Sequence, residues 1–319
     1  MQSYQEKTPQ TVQEPPIKWT IITEIADPLI QQIPGLHEYG IKVKQRIHEA
    51  VLQGGTPARI ITDILHGTWL GHPLHPVLTD VTIGAWLFGS VFDWLSVFAP
   101  SKAMEQAADT LTVIGTISAV PTALAGITDY STIKEDDSVK YGALHGILNS
   151  IGLTMYLASI RARQSDNRPL AIGLSSLALM LLTPSAWIGG DMVYRLRVGS
   201  NHAETDSKPE AWTRILASSD LPEKTPMRIE VEGNPILVYR KDGQVHAIGA
   251  VCAHAGGPLD EGKFDGVCVQ CPWHDSVYDL RDGRVVHGPT TFAQPLYEVR
   301  ERDGQIAIRA VQEHTGFIE

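Results

Sequence analysis

The sequence predicts two domains, a four-helix transmembrane bundle followed by a small all-β sandwich or barrel. Three observations predict this. Four segments between residues 74 and 192 are mostly apolar over about 20 residues each, the length that crosses a bilayer. From Met227 onward the hydrophobic period shortens to two, and Asp-Gly pairs at 242, 282 and 303 mark tight turns between short strands. Within that β region lie two pairs of metal-ligating residues, Cys252 with His254 and Cys271 with His274. At 319 residues the chain is long enough for both domains.

In chain order, residues 1–35 are rich in Gln, Glu, Thr and Pro and read as a flexible leader, without the charged start and apolar core of a secretory signal. Residues 36–70 form an amphipathic pre-membrane segment. Leu36, Ile41, Val43, Ile47 and Val51 alternate with Lys42, Lys44 and Arg46, which suits a helix lying on the membrane or on the bundle that follows. The transmembrane domain covers 71–200, with spans near 74–98, 107–127, 141–160 and 170–192. A soluble bundle would need a polar outward stripe, yet 111–127 offers only Thr and Ser as polar members. Beyond the helix spacing no repeat is legible. An even number of spans places both termini on one side, and the Lys and Arg near the helix ends favour the cytoplasm for that side. A polar linker at 201–213 leads to the β domain at 214–319.

The two ligand pairs carry the chemistry. Each half brings one Cys and one His, whereas a structural zinc finger normally pairs like with like. The set suits a [2Fe–2S] cluster with sulfur on one iron and nitrogen on the other; the spacing leaves zinc open as the alternative. Cys268, between Val267 and Val269, reads as a buried core residue, so there is no disulfide framework. His246 and His287 lack a Cys at ligand spacing and read as ordinary strand or surface histidines. The net charge of −10 argues against a nucleic-acid partner.

The ligand pairs, followed by Trp273, Ser276, Tyr278, Gly288-Pro289 and Pro295, resemble the Rieske [2Fe–2S] family over about the last hundred residues. The resemblance implies that Cys252 and Cys271 bind the buried iron, and that His254 and His274 bind the outer iron near the surface. Ser276 and Tyr278 fall where hydroxyls bond to sulfur in quinol-oxidising members. Such bonds stabilise the more negative reduced cluster. Gly256 and Gly257 allow close backbone approach, with amides able to reach the cluster. Those quinol-oxidising members carry a disulfide between the loops where this chain has Gly257 and Trp273, so packing must hold the loops together, as in the ferredoxin-like branch.

One level of the bundle collects polar groups. In an up-down topology the starts of the first and third helices share a level with the ends of the second and fourth. His72, His75, His145, Asp129 and Asp191 fall there, flanked by His66 and His202, while Asp93 belongs to the opposite end. Ionisable residues in spans point to function. Three readings fit: His75 and His145 as axial ligands of a haem, a non-haem metal on His72, His75 and His145 with a carboxylate, or interfacial polar groups around a helix start. The stretch 65–76, with Gly189-Gly190-Asp191 later, resembles a bacterial four-helix membrane family of uncertain function, found alone or fused to Rieske domains. That family tends to have His where this chain has Asp191. The expected function is a membrane-bound iron–sulfur protein passing single electrons at the membrane surface. Its partners would be membrane lipid and a haem, a quinone or a redox protein. The alternative is a ferredoxin or redox sensor for which the helices are only an anchor.

Overall fold

The computed structural model describes residues 21–133, 137–203 and 208–311. Helices α1 (Ile21–Gln31), α2 (Leu36–Gln53) and α3 (Gly55–His66) precede four long ones, α4 (Leu74–Phe98), α5 (Lys102–Tyr130), α6 (Asp137–Gln164) and α7 (Arg168–Tyr194). All four long helices are long and apolar enough to cross a membrane. Their outward faces expose Phe88, Phe98, Ile117, Leu157 and Met180. A lipid-facing belt needs such a surface, and a soluble bundle could not keep it in water. Pro73 precedes α4 in an extended conformation, and Pro76 sits in its first turn, where a missing N–H costs nothing. Asn167 caps α7, its Oδ1 accepting the Leu170 amide.

The segment expected to be a flexible leader folds in part, since Ile21–Gln31 is helix α1; residues 1–20 lie outside the described residues. Of the two pre-membrane helices, α2 lies on the bundle. A Cβ placed on its Gly40 would meet the Tyr130 hydroxyl at 2.5 Å and Val139 at 2.7 Å, so only glycine permits the approach. Lys44, one of the charges alternating along this helix, is buried. Helix α3 keeps an exposed apolar stripe, Ile60, Ile61 and Ile64, continued by Trp69 and Leu70 beside the start of α4. That stripe suits the membrane interface.

The long helices form two equivalent hairpins, a repeat that helix spacing alone conceals and that corrects the expectation of none. Leu74-His75-x-x-Leu78 in α4 recurs as Leu144-His145-x-x-Leu148 in α6, and Pro121-Thr122-Ala123-x-x-Gly126 in α5 recurs as Pro184-Ser185-Ala186-x-x-Gly189 in α7. Thr79 and Asn149, equivalent in this repeat, both donate to the carbonyl of their own histidine at 2.8 Å. Equivalent residues also meet between the hairpins, as across a two-fold axis. Trp86 stacks on Tyr156 with ring centroids 4.1 Å apart and planes 4° from parallel. One end is closed by Asp93, paired with Arg163 and also bonded by Arg168.

The C-terminal domain is two antiparallel sheets. Six strands, β1 (Thr213–Ala217), β2 (Met227–Val231), β3 (Asn234–Lys241), β4 (Gln244–Gly249), β9 (Leu296–Arg302) and β10 (Gln305–Ala310), lie in the order β1-β10-β9-β4-β3-β2. The second sheet has β5 (Lys263–Asp265), β6 (Cys268–Gln270), β7 (Val277–Asp279) and β8 (Val285–His287) in sequence order. Asp242-Gly243 and Asp303-Gly304 have positive φ at both residues, as a two-residue hairpin of matching twist requires. Strand β3 is buried on both faces: Ile236 and Val238 join a core with Ile306 and Ile308, while Leu237 and Tyr239 join one with Ile248, Tyr278 and both loop cysteines. Cys268, expected in the core, is only half-buried.

Candidate metal centre

Two loops carry the four ligand candidates, and each closes on itself through the backbone. In the first, the Cys252 amide donates to Gly257 O at 2.8 Å and the Gly256 amide to Cys252 O at 2.9 Å. In the second, the Cys271 amide donates to Ser276 O at 2.8 Å and the Asp275 amide to Cys271 O at 3.2 Å. Gly256 at φ 79° and Asp275 at φ 63° supply the left-handed turns. The Gly256 amide is thus spent on its own loop, contrary to the expectation that it would face the cluster. Gly257 acts through its lack of a side chain. A Cβ there would stand 2.8 Å from Cys271 Sγ and 3.1 Å from the Trp273 ring. The loops therefore touch directly at the positions where quinol-oxidising members have a disulfide.

The donors separate by kind. Cys252 and Cys271 are buried at the inner end, while His254 and His274 are half-buried at the outer end with ring centroids 5.0 Å apart. A hydrogen bond from Cys271, helped by the Tyr278 hydroxyl, holds the Cys252 thiol down to about 7; the same shared bond pushes Cys271 up. The Tyr278 oxygen lies 3.2 Å from Cys252 Sγ. Burial first, then the neighbouring sulfur, raises the Tyr278 phenol well above its usual range, so it stays protonated. Ser276 Oγ accepts the Thr290 amide at 3.3 Å, which leaves its own proton to donate.

Two contributors escaped the sequence reading. Gln294 is buried, and in the amide orientation that satisfies both ends it donates to Val251 O at 3.0 Å and accepts from the Ala253 amide at 2.7 Å, pinning the first loop. Its place directly before Pro295 is the one signal the sequence held for it. Asp63 of α3 accepts from His287 Nδ1 and from the Gly288 amide, both at 2.8 Å. His287 is therefore not an ordinary strand histidine but a tie between the β domain and the membrane domain.

That tie brings the outer histidines against the helices. Burial lowers the His254 pKa well below the usual imidazole value, and His274, His66, His202 and Lys44 lower it further. His66 in turn bonds Asp129 at the end of α5 at 2.7 Å. A cavity of about 340 Å³ opens beside His274, lined by His48, Thr62, Asp63, His66 and Pro289. The other polar groups of this level do not form one site. His72 is exposed and bonds Pro73 O, and Asp191 pairs with Arg195. Among the described residues, no three His, Cys, Asp or Glu side chains assemble to hold a single metal ion. The reading that placed a non-haem metal on His72, His75 and His145 is thereby lost.

Residues 211–298 match the family model described as Rieske [2Fe–2S] domain. Residues 71–202 match a second model, described as predicted membrane protein, DUF2231. The chain joins a DUF2231 membrane domain to a Rieske domain. Relatives of the Rieske domain include ferredoxin CarAc of Metapseudomonas resinovorans, 29% identical over 100 residues, 31% of this chain and 94% of that protein. The anthranilate 1,2-dioxygenase ferredoxin subunit of Burkholderia cepacia is 29% identical over 33% of this chain and 96% of its own. Among solved structures, the ferredoxin of carbazole 1,9a-dioxygenase from Nocardioides aromaticivorans IC177 is 26% identical, covering 31% of this chain and 98% of its own, with a TM-score of 0.30. The donor set fits the Rieske cofactor. Two buried thiols face two outer imidazoles, Gly257 leaves the space a side chain would fill, and His254 Nδ1 is a buried nitrogen with no hydrogen-bond partner.

Proposed function

We propose that this chain is an electron-transfer protein in which the Rieske domain exchanges single electrons with its own membrane domain. Cys252, Cys271, His254 and His274 hold the [2Fe–2S] cluster, which when bound takes up and releases one electron at a time. Tyr278 holds its hydroxyl beside the Cys252 sulfur, Gly257 keeps the loops close, and Gln294 fixes the first loop. Ser276 steadies the second loop through Thr290.

One observation carries this reading: the outer histidines face α2, α3 and the end of α5, not open solvent. Two of the ferredoxins named above are those of dioxygenases, and a ferredoxin serving a separate oxygenase would need that face for docking. Here Lys44, His66 and the Asp63–His287 tie occupy it. The electron partner proposed for this face is accordingly a redox group of the bundle, a haem or a lipid quinone, with the Rieske domain on the cytoplasmic side. Residues 71–200 and 214–319 are the two functional units.

The test uses full-length protein in lipid vesicles. Electron paramagnetic resonance after reduction should show the mixed-ligand cluster, lost in Cys252→Ser and His274→Ala. The reduced cluster should be reoxidised faster by a lipid-soluble quinone than by an equipotential soluble protein acceptor. Faster oxidation by the soluble acceptor would instead favour an anchored ferredoxin.

A further inference from the structure

The two hairpins of the membrane domain set equivalent residues face to face at three levels, and two of those pairs satisfy each other. Trp86 and Tyr156 stack at 4.1 Å, and Asp93 and Arg163 form an ion pair. The third pair, His75 and His145, sits at the level nearest the Rieske domain and does not close. Its ring centroids stay 6.3 Å apart with planes 83° from parallel.

Each histidine is oriented by the other helix of its own hairpin. His75 Nδ1 donates to Thr122 O at 2.9 Å, and His145 Nδ1 donates to Ser185 O at 2.8 Å. Both acceptors stand one residue past a proline inside the helix, Pro121 and Pro184. A metal-ligating histidine typically gives its second N–H to a backbone carbonyl in this way, which fixes the tautomer and leaves Nε2 as the ligating nitrogen. Glycines make room for the rings. A Cβ on Gly126 would lie 2.8 Å from the His75 ring, and one on Gly189 would lie 3.1 Å from the His145 ring. Beside the pair the helix surfaces are open, since side chains built on Gly146 and Gly190 would meet nothing within 4 Å.

The separation decides between the chemistries. Two imidazoles that bind one metal on opposite sides, each through a bond of about 2.0 Å and with the nitrogen about 1.1 to 1.2 Å from its ring centre, have centroids about 6.3 Å apart. Among the described residues no third His, Cys, Asp or Glu joins these two, so the other positions of such a metal fall to a ligand that brings its own donors, as a porphyrin does. With three cysteines in the chain, none in a Cys-x-x-Cys-His arrangement, the macrocycle is not covalently attached.

We propose that the membrane domain binds one b-type haem between its two hairpins, with His75 and His145 as axial ligands. The iron lies on the axis that relates the repeats. This deepens the reading of the chain as an electron carrier and rests on it for its purpose. On α5, Asp129 lies about one turn beyond Gly126 and holds His66, which in turn neighbours His254. The haem site and the cluster site are thus joined through a few contacts.

Full-length protein, expressed with haem precursor and purified in detergent, tests both readings at once. Reduced-minus-oxidised optical spectra and a pyridine haemochrome assay should give one low-spin haem per chain. Its bands should vanish in His75→Ala and in His145→Ala, with the cluster resonance intact in both. His145→Met guards against misfolding; it should retain haem with a raised midpoint potential, because thioether ligation raises it. Wild-type protein with a full cluster signal and no haem overturns the proposal. So does haem that persists unchanged in both alanine variants, or an unmoved potential in His145→Met. Haem without a cluster signal would leave this inference standing and overturn the cluster reading.

Discussion

Replacing Asp63 by alanine removes the acceptor for both His287 Nδ1 and the Gly288 amide at the seam between the domains. Bonds to a charged group contribute about 1.5 to 3 kcal/mol each. The Asp63 and His287 side chains retain 19% and 32% exposure, so the low end applies. Two such bonds amount to about 3 kcal/mol, or roughly 150-fold in the ratio of docked to undocked Rieske domain. Hydrogen exchange on the full-length protein reads this directly. Protection of the Gly288 amide and of neighbouring loop amides should fall by about two orders of magnitude, while strands β3 and β10 keep theirs. Asp63→Asn keeps a carbonyl acceptor for Gly288 and should lose about half as much free energy. Reoxidation of the cluster by quinone in vesicles should slow in the same order. If Asp63→Ala carries a full cluster and shows wild-type protection at Gly288, the seam is not held by this carboxylate and the docking argument fails.

Other outcomes follow from the same geometry. Tyr278→Phe removes the hydroxyl 3.2 Å from Cys252 Sγ, and at about 1 kcal/mol of preference for the reduced state a redox titration should find the potential lower by roughly 40 mV. Gly257→Ala forces a Cβ to within 2.8 Å of Cys271 Sγ, so iron and sulfide content should collapse while far-ultraviolet circular dichroism stays near wild type. Asp93→Ala removes the buried carboxylate from a cluster in which Asp109 also pairs with Arg163 and Arg168, so the loss should stay at about 2 to 3 kcal/mol, with the Asp93→Ala/Asp109→Ala double variant losing more than the two single losses, both seen as lower unfolding temperatures in detergent. Asp279 is held down to about 2 mainly by its hydrogen bond from Arg281. A carboxylate with a depressed native pKa stabilises fully above its unfolded value near 4, and that contribution is lost as pH falls towards 2. Asp279→Asn should therefore flatten this part of the acid limb of the stability profile, which acid titration of the Rieske domain signals would show.

Much of the molecule was legible because its signals are local. The apolar runs gave four spans, with α4 starting and ending where the composition changes, and Asp-Gly dipeptides marked hairpins whose turns need positive φ. The four cluster ligands share two short loops, so spacing alone singled them out. Signals that depend on distant parts of the chain were hidden. Asp63 and His287 are far apart in sequence, and each alone is an ordinary polar residue near a helix or strand end. Gln294 matters only because the chain returns it beneath Ala253. The hairpin repeat is carried by a few positions, a histidine, a proline and a glycine per half, set in interchangeable apolar residues. It becomes visible only when equivalent side chains meet. Lys44 read as one of the charges alternating along an amphipathic helix, yet it is buried.

The far end of the bundle constrains which hairpins can associate. Asp93 and Arg163 occupy equivalent places in the two halves, with side chains 1% and 6% exposed. Were the α4–α5 hairpin to pair with another copy of itself, carboxylate would meet carboxylate there; two copies of α6–α7 would set guanidinium against guanidinium. Like charges brought together out of water cost several kcal/mol, so both self-matched assemblies are rejected. The opposite charges act as a key that permits only unlike halves to join. They keep His75 opposite His145, not opposite its own copy, even though the surrounding scaffold is nearly the same in both halves.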